Sequence, residues 1–198
     1  MKLKNWILLS AVVFAASPLC AGVLDTMQVR SLSGALQELY TVKKGTTVRE
    51  GHFISYYADG KIGVEADYKA GKLSGVFKSH YSNGVLWQEI FYVDGVEDGE
   101  MKTYYETAAL KTLDTYKKGT MDGPSKEWDV MGKLRREITY QNGQIEGTVK
   151  IYDAEGALSE EMDFVHGLRE GKYRRYNKGI MVLEAEFVRN RCVKNCPE

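Results

Sequence analysis

The chain is poor in the residues that most often carry chemistry or bind nucleic acid. Histidine, cysteine, proline and tryptophan occur three times each in 198 residues. His52, His80 and His166 fall at three different places in the pattern described below, so they give neither a metal-ligand spacing nor a catalytic triad. Positive and negative side chains balance at 27 each, which leaves no basic field to attract nucleic acid. Helical periodicity of useful length is absent. The glycines open turns and precede no helix, so they are not phosphate loops. No catalytic residue, metal site or cofactor is expected, and the chain reads as a non-enzyme.

The one long apolar run lies at the N-terminus. Lys2 and Lys4 precede the apolar stretch 6–16, which is short for a membrane span and is followed by small residues. This reads as a secretory signal peptide, residues 1–21, cleaved near Ala21, so the mature chain is expected to be extracytoplasmic, periplasmic or secreted. Cys20 lacks a leucine three residues upstream and a small residue just before it, so a lipid anchor is not expected. Cleavage leaves Cys192 and Cys196, an even number in an oxidising compartment. A small disulfide loop is expected in preference to a metal pair, because no further ligand lies nearby in sequence.

What the chain has in abundance is glycine and tyrosine, 20 and 13 residues. Gly51, Gly75, Gly99, Gly123, Gly147 and Gly171 stand 24 residues apart. Five residues after each comes Tyr56, His80, Tyr104, Trp128, Tyr152 or Tyr176. A turn residue follows (Gly60, Gly84, Ala108, Gly132, Gly156, Gly179), then an aliphatic residue (Ile62, Leu86, Leu110, Leu134, Leu158, Met181). Next stands a glutamate, replaced by Leu113 in the third unit, and then an aromatic: Tyr68, Tyr92, Tyr116, Tyr140, Phe164, Phe187. Gly71, Gly95, Gly119, Gly143, Gly167 and Asn190 close the units. A half-unit with Gly34, Leu36, Leu39, Val42 and Gly45 precedes them. Such a period signals a stacked array. The division expected is an N-terminal cap at 22–33, repeats at 34–190 and a C-terminal cap at 191–198.

Each unit reads as a hairpin. Aromatic and β-branched residues flank Asp59-Gly60, Asn83-Gly84 or Glu155-Gly156, and the second strand alternates with period two. The class expected is all-β, an elongated sheet or solenoid of stacked antiparallel hairpins. Two registers compete. A three-residue loop, Ala58-Asp59-Gly60, pairs Tyr56 with Ile62 and puts both on the face of Tyr68; the shorter Lys178-Gly179 turn keeps the equivalent pair, Tyr176 with Met181. A two-residue loop instead pairs Lys78 with Glu89, Lys126 with Glu137 and Lys150 with Glu161. Cross-strand charge pairs give about 0.2–1 kcal/mol. Burying an apolar side chain gives roughly 1.5–3 kcal/mol, so the hydrophobic register is expected.

Residues 75–95 (GVFKSHYSNGVLWQEIFYVDG) resemble the bacterial variant of the MORN repeat, and the similarity extends over residues 34–190. Proteins with these repeats include a group labelled YwqK-like antitoxin components. The resemblance implies hairpins stacked into an elongated sheet, a role in protein or membrane association, and no catalytic residues. This unit departs from the standard repeat in a lengthened turn and in a leucine, in place of tyrosine, after it.

The rows Glu65, Glu89, Glu137, Glu161, Glu184 and Lys78, Lys102, Lys126, Lys150, Arg174 read mainly as solvated faces. The recurring aromatics read as core. Tyr57, Tyr81, Trp87, Phe91 and Tyr105 do not recur: they belong to the first three units, and Asp129 and Asp153 stand where the tyrosines would. They form the candidate binding patch, with drift on an exposed face as the alternative. The function expected is an exported scaffold that holds a protein through one face of the array, with a glycan or a membrane surface as further partner classes and no nucleic acid. The alternative is an antitoxin-like or immunity protein. The protein is expected to be a monomer or weak oligomer.

Overall fold

The computed structural model describes residues 24–197. The N-terminal segment carrying the expected signal peptide, its cleavage site at Ala21 and Cys20 lies outside the described residues. Eighteen strands form one sheet, and no helix occurs among the described residues. The first hairpins are β1 (Leu24–Arg30) with β2 (Leu36–Lys43) and β3 (Arg49–Tyr56) with β4 (Ile62–Lys69). Then come β5 (Lys72–Leu73), β6 (Gly75–His80), β7 (Leu86–Val93), β8 (Val96–Tyr104), β9 (Leu110–Lys117) and β10 (Thr120–Met121). The array continues through β11 (Gly123–Trp128), β12 (Leu134–Gln141), β13 (Gln144–Ile145) and β14 (Gly147–Tyr152). It ends with β15 (Leu158–Val165), β16 (Leu168–Asn177), β17 (Ile180–Val188) and β18 (Arg191–Lys194). The short strands β5, β10 and β13 and the longer ones that follow them share a partner, so each couple is one interrupted strand. Every pairing is antiparallel and joins sequence neighbours, which makes the sheet a meander. The stretch assigned to an N-terminal cap contains β1, which completes the first hairpin by pairing with β2.

Two turn types alternate through the first five units, and the sixth hairpin has the two-residue turn Lys178-Gly179. Within a unit, the Gly60 amide donates to the Tyr57 carbonyl (2.9 Å) and the Tyr57 amide to the Lys61 carbonyl (2.8 Å), closing the expected three-residue loop. Between units, two-residue turns such as Ala70-Gly71 have both residues at positive φ (49° and 81°), the primed geometry whose twist suits a hairpin. The units are also tied turn to turn. The Gly71 amide donates to Arg49 O, Gly95 to Leu73 O, Gly119 to Glu97 O and Gly143 to Met121 O, each at 2.8 Å.

The 24-residue glycine sits where the interrupted strand resumes. Gly75 has φ +96°, a conformation that a side chain disfavours, and directly faces Tyr92. Gly51 faces Tyr68 and Gly171 faces Phe187 in the same way. The aromatic of each unit thus stands opposite its bare backbone.

The structure corrects the register argument, because both competing pairings are present. Tyr56 pairs with Ile62, His80 with Leu86 and Tyr176 with Met181, as the hydrophobic register requires. The second strand then gains one unpaired residue (Gly63, Trp87, Lys111, Arg135, Ser159, Val182), so that Lys78 still meets Glu89, Lys126 meets Glu137 and Lys150 meets Glu161. This bulge moves the pair to the other face. Tyr56 and Ile62 lie opposite Tyr68, which packs with Phe53 at 6.0 Å between ring centroids.

One face therefore carries the apolar rows, and the other carries the charges flanked by the Tyr56-type residues. Every buried side chain is on the first face: Phe53, Ala66, Ser79, Ile90, Ile138, Val149, Met162, Ala185 and Phe187, with Val42 at its start. Ala66 and Ala185 are 1 % exposed, while the tyrosines of the ladder are only half-buried. Large rings shield a row of smaller residues, a thin core built from neighbours only.

Candidate functional site

Tyr57, Tyr81 and Tyr105 follow the strand ends of the first three units, on the apolar face at the edge of the three-residue loops. Each hydroxyl reaches into the next unit: Tyr57 donates to the carbonyl of His80, Tyr81 to Tyr104 (2.8 Å) and Tyr105 to Trp128 (2.9 Å), 23 residues on each time. In the fourth and fifth units Asp129 and Asp153 replace the tyrosine and tie their own loops. Asp129 Oδ1 accepts from the amides of Met131 and Lys133, both at 2.9 Å, and Asp153 Oδ1 from those of Glu155 and Ala157. The tie to the next unit passes to Arg135, whose guanidinium bonds Asp129 (2.8 Å) and donates to the Asp153 carbonyl. The amides of Lys133 and Met131, with Arg135, hold the Asp129 carboxyl below its ordinary range. Packing alone was expected to repeat the tyrosine in every unit. Tyrosine hydroxyls in the first three units and Arg135 in the fourth thus tie a unit to the next by different chemistry.

Trp87 is the bulge residue of β7 and packs on Tyr81 at 6.1 Å between centroids. It is 46 % exposed. Tyr57 and Trp87 wall a recess of about 230 Å³ that also touches Gly63, Val64, Ser79 and His80. Phe91 is not part of this edge. It pairs with Val76 on the opposite face, beside the charges, and stacks on Gly99, whose added Cβ would lie 3.3 Å from Phe91 Cβ. The structure brings together Tyr57, Tyr81, Trp87 and Tyr105 along one edge and leaves Phe91 behind the sheet. Sequence reasoning missed Gly63, Ser79 and His80 as neighbours of these rings. The signal for Gly63 was present in the aligned units: it alone is glycine where Trp87, Lys111, Arg135, Ser159 and Val182 stand.

The acidic and basic rows are one row. Across consecutive strands run Glu65, Lys78, Glu89, Lys102, Leu113, Lys126, Glu137, Lys150, Glu161, Arg174 and Glu184. Alternation neutralises it, so it offers neither a cation ladder nor a track for an anionic polymer. Where Leu113 interrupts, Lys102 turns to Glu100 (2.8 Å), which raises its pKa. The Tyr152 hydroxyl donates to Glu137 (2.6 Å) and the Tyr176 hydroxyl to Glu161 (2.8 Å). Burial and the Glu137 carboxylate push Tyr152 up to about 12, while Tyr152 and Lys126 hold Glu137 below the usual carboxylate range.

Elsewhere the aromatic face is already filled. The Arg49 guanidinium lies 4.7 Å, 5.0 Å and 5.2 Å from the ring centroids of Phe53, Tyr40 and Tyr68, a cation–π site satisfied from within. At the far end Met162, Ala185 and Phe187 form the core with Phe164, Tyr173 and Cys192 around them. Cys192 and Cys196 form a disulfide, Cα–Cα 5.7 Å, beside the last strand. Such bonds belong to oxidising compartments. Among the described residues no group of three or more His, Cys, Asp or Glu is placed to hold a metal ion.

Residues 49–70 and 73–94 match the MORN repeat variant family, and over these two units the chain is similar to it. They are the units that carry Tyr57, Tyr81, Trp87 and Phe91. No curated protein matches the chain.

Proposed function

We propose that the chain is an exported, non-enzymatic scaffold that holds a partner protein or an envelope surface along the loop edge of its apolar face. The observation that carries this reading is the row Tyr57, Tyr81–Trp87 and Tyr105. It is the place among the described residues where non-recurring aromatics gather on one side, with Trp87 left 46 % exposed against Tyr81. Aromatic rings held rigid at a surface give large contact area at low entropic cost, as interface anchors do. Here the hydroxyl clasps supply the rigidity. The even spacing of the units would let a partner engage several of them at once. Export is supported by the N-terminal sequence pattern and by the disulfide at the other end.

The test is affinity purification of the mature protein from its own extracytoplasmic fraction, with Trp87→Ala and Phe91→Ala compared. Capture lost in Trp87→Ala and kept in Phe91→Ala is expected. Equal capture by both variants and the parent would overturn the choice of edge. A toxin-like protein as the captured partner would favour the antitoxin or immunity reading.

A further inference from the structure

Among the described residues, two polar side-chain atoms are buried without a hydrogen-bond partner: Ser79 Oγ and His80 Nδ1. Ser79 is 6 % exposed, and a buried hydroxyl or ring nitrogen left unpaired is costly. Ser79 lines the recess between Tyr57 and Trp87, whereas His80 meets it through its backbone and turns its ring to the other face beside Leu86. The same recess exists because of Gly63. At the corresponding bulge positions other units place a tryptophan, a lysine, an arginine, a serine or a valine, which would project there. Gly63 is not needed for its backbone, since its φ lies outside the left-handed region. A Cβ added to it would meet Ser55 Oγ at 3.4 Å, Tyr57 Cε2 at 3.6 Å and the Ser55 carbonyl oxygen at 3.7 Å, all ordinary contacts. Its missing side chain leaves space, and the unsatisfied Ser79 hydroxyl lies in the wall of that space.

We infer that this recess binds one ring of a neutral sugar, as part of a glycan. The inference rests on the scaffold reading and names a ligand for its edge. The recess has no Lys, Arg, Asp or Glu in its lining, which disfavours phosphates, sugar acids and cations. Its volume of about 230 Å³ is below the roughly 300–1,000 Å³ of pockets for drug-sized ligands, so it suits a single ring. Trp87 is half-exposed, and the C–H face of a pyranose would stack on its indole. Ser79 Oγ both donates and accepts, so a hydroxyl on the ring edge satisfies it. A flat aromatic ligand would cover the indole but leave the Ser79 hydroxyl unpaired. The Tyr57 ring is fixed as the second wall by its bond to the His80 carbonyl.

The test is titration of the full mature chain with cellobiose, N,N′-diacetylchitobiose and maltose, read by calorimetry and by saturation-transfer NMR. Saturable binding of at least one disaccharide is expected, weakened tenfold or more by Gly63→Val and by Trp87→Ala, and several-fold by Ser79→Ala. Gly63→Val places in this bulge the residue type found at Val182; an unchanged β circular-dichroism spectrum checks that the fold is kept, and Trp87→Ala alters an exposed side chain. Absence of saturable binding to all three sugars, or binding that Gly63→Val leaves intact, overturns the inference. Partner capture that depends on Trp87 while no sugar binds would sink the glycan site and leave the scaffold standing. Sugar binding without partner capture would do the reverse.

Discussion

Gly75 and Gly123 hold the same place in two units and have different surroundings. Gly75 has φ +96°, and its nearest neighbour to an added Cβ is Asp67 Oδ2 at 3.8 Å. Gly123 has φ +132°, and an added Cβ would lie 2.9 Å from Thr115 Cβ, an atom tied to the β9 backbone. Gly75→Ala should therefore cost about 1–2 kcal/mol from its backbone conformation alone. Gly123→Ala should cost distinctly more, and urea midpoints of the two variants compare them directly; equal losses would show that steric contact adds nothing. The Tyr152 phenol gives a pH signature. Its pKa is raised from 10.0 to about 12 in the folded chain, so folding favours the protonated form. That contribution is fully present below pH 10 and is lost as pH rises toward 12. The parent should be more stable than Tyr152→Phe at pH 8, and the gap should close between pH 10 and 12 in denaturant melts. The sequence displayed these glycines and tyrosines as a list of equals. It did not show which glycine is crowded, because Thr115 approaches Gly123 only through strand pairing.

Between residue and molecule, the hairpins are joined by clasps on one edge and by turn amides on the other. Tyr81→Phe removes the part-buried bond to the Tyr104 carbonyl and should cost about 0.5–1.5 kcal/mol. Arg135→Ala, in the unit that uses the other clasp, should cost a similar amount. Thermal melts of both test whether the two are equivalent; a neutral Tyr81→Phe would return the tyrosine row to a purely binding role. The hairpins themselves were legible, since turn glycines and period-two alternation are local signals. The bulge was not. One extra residue at Gly63 or Trp87 changes the face of everything before it, and no residue type marks it, for six different side chains occupy the place. Hence the rows of Glu and Lys looked like two stripes, and Phe91 looked like a neighbour of Tyr81. The clasps were hidden for another reason: a tyrosine gives no sequence sign of bonding a backbone carbonyl 23 residues away.

For the whole molecule, a core made of neighbouring units implies stability that varies along its length. The terminal hairpin of β17 and β18 has a partner on one side only, and the disulfide between Cys192 and Cys196 closes a loop of five residues beside it. Loop closure of that length corresponds to about 2 kcal/mol. Reduction should accordingly raise amide exchange in β17 and β18 and leave β3 to β9 protected; a uniform rise along the chain would mean that the sheet opens as one unit. The order of the strands has a mechanical consequence as well. In the meander, β1 is at one end of the sheet and β18 at the other, so tension applied to the two ends of the chain loads the strand pairs one after another, peeling and not shearing them. Each unit released would lengthen the chain by about 70 Å, the roughly 80 Å reach of 24 extended residues less the roughly 10 Å width of its two strands. Anchored at both ends, the protein would yield in equal steps, an extensible tether whose middle still holds while its ends give way.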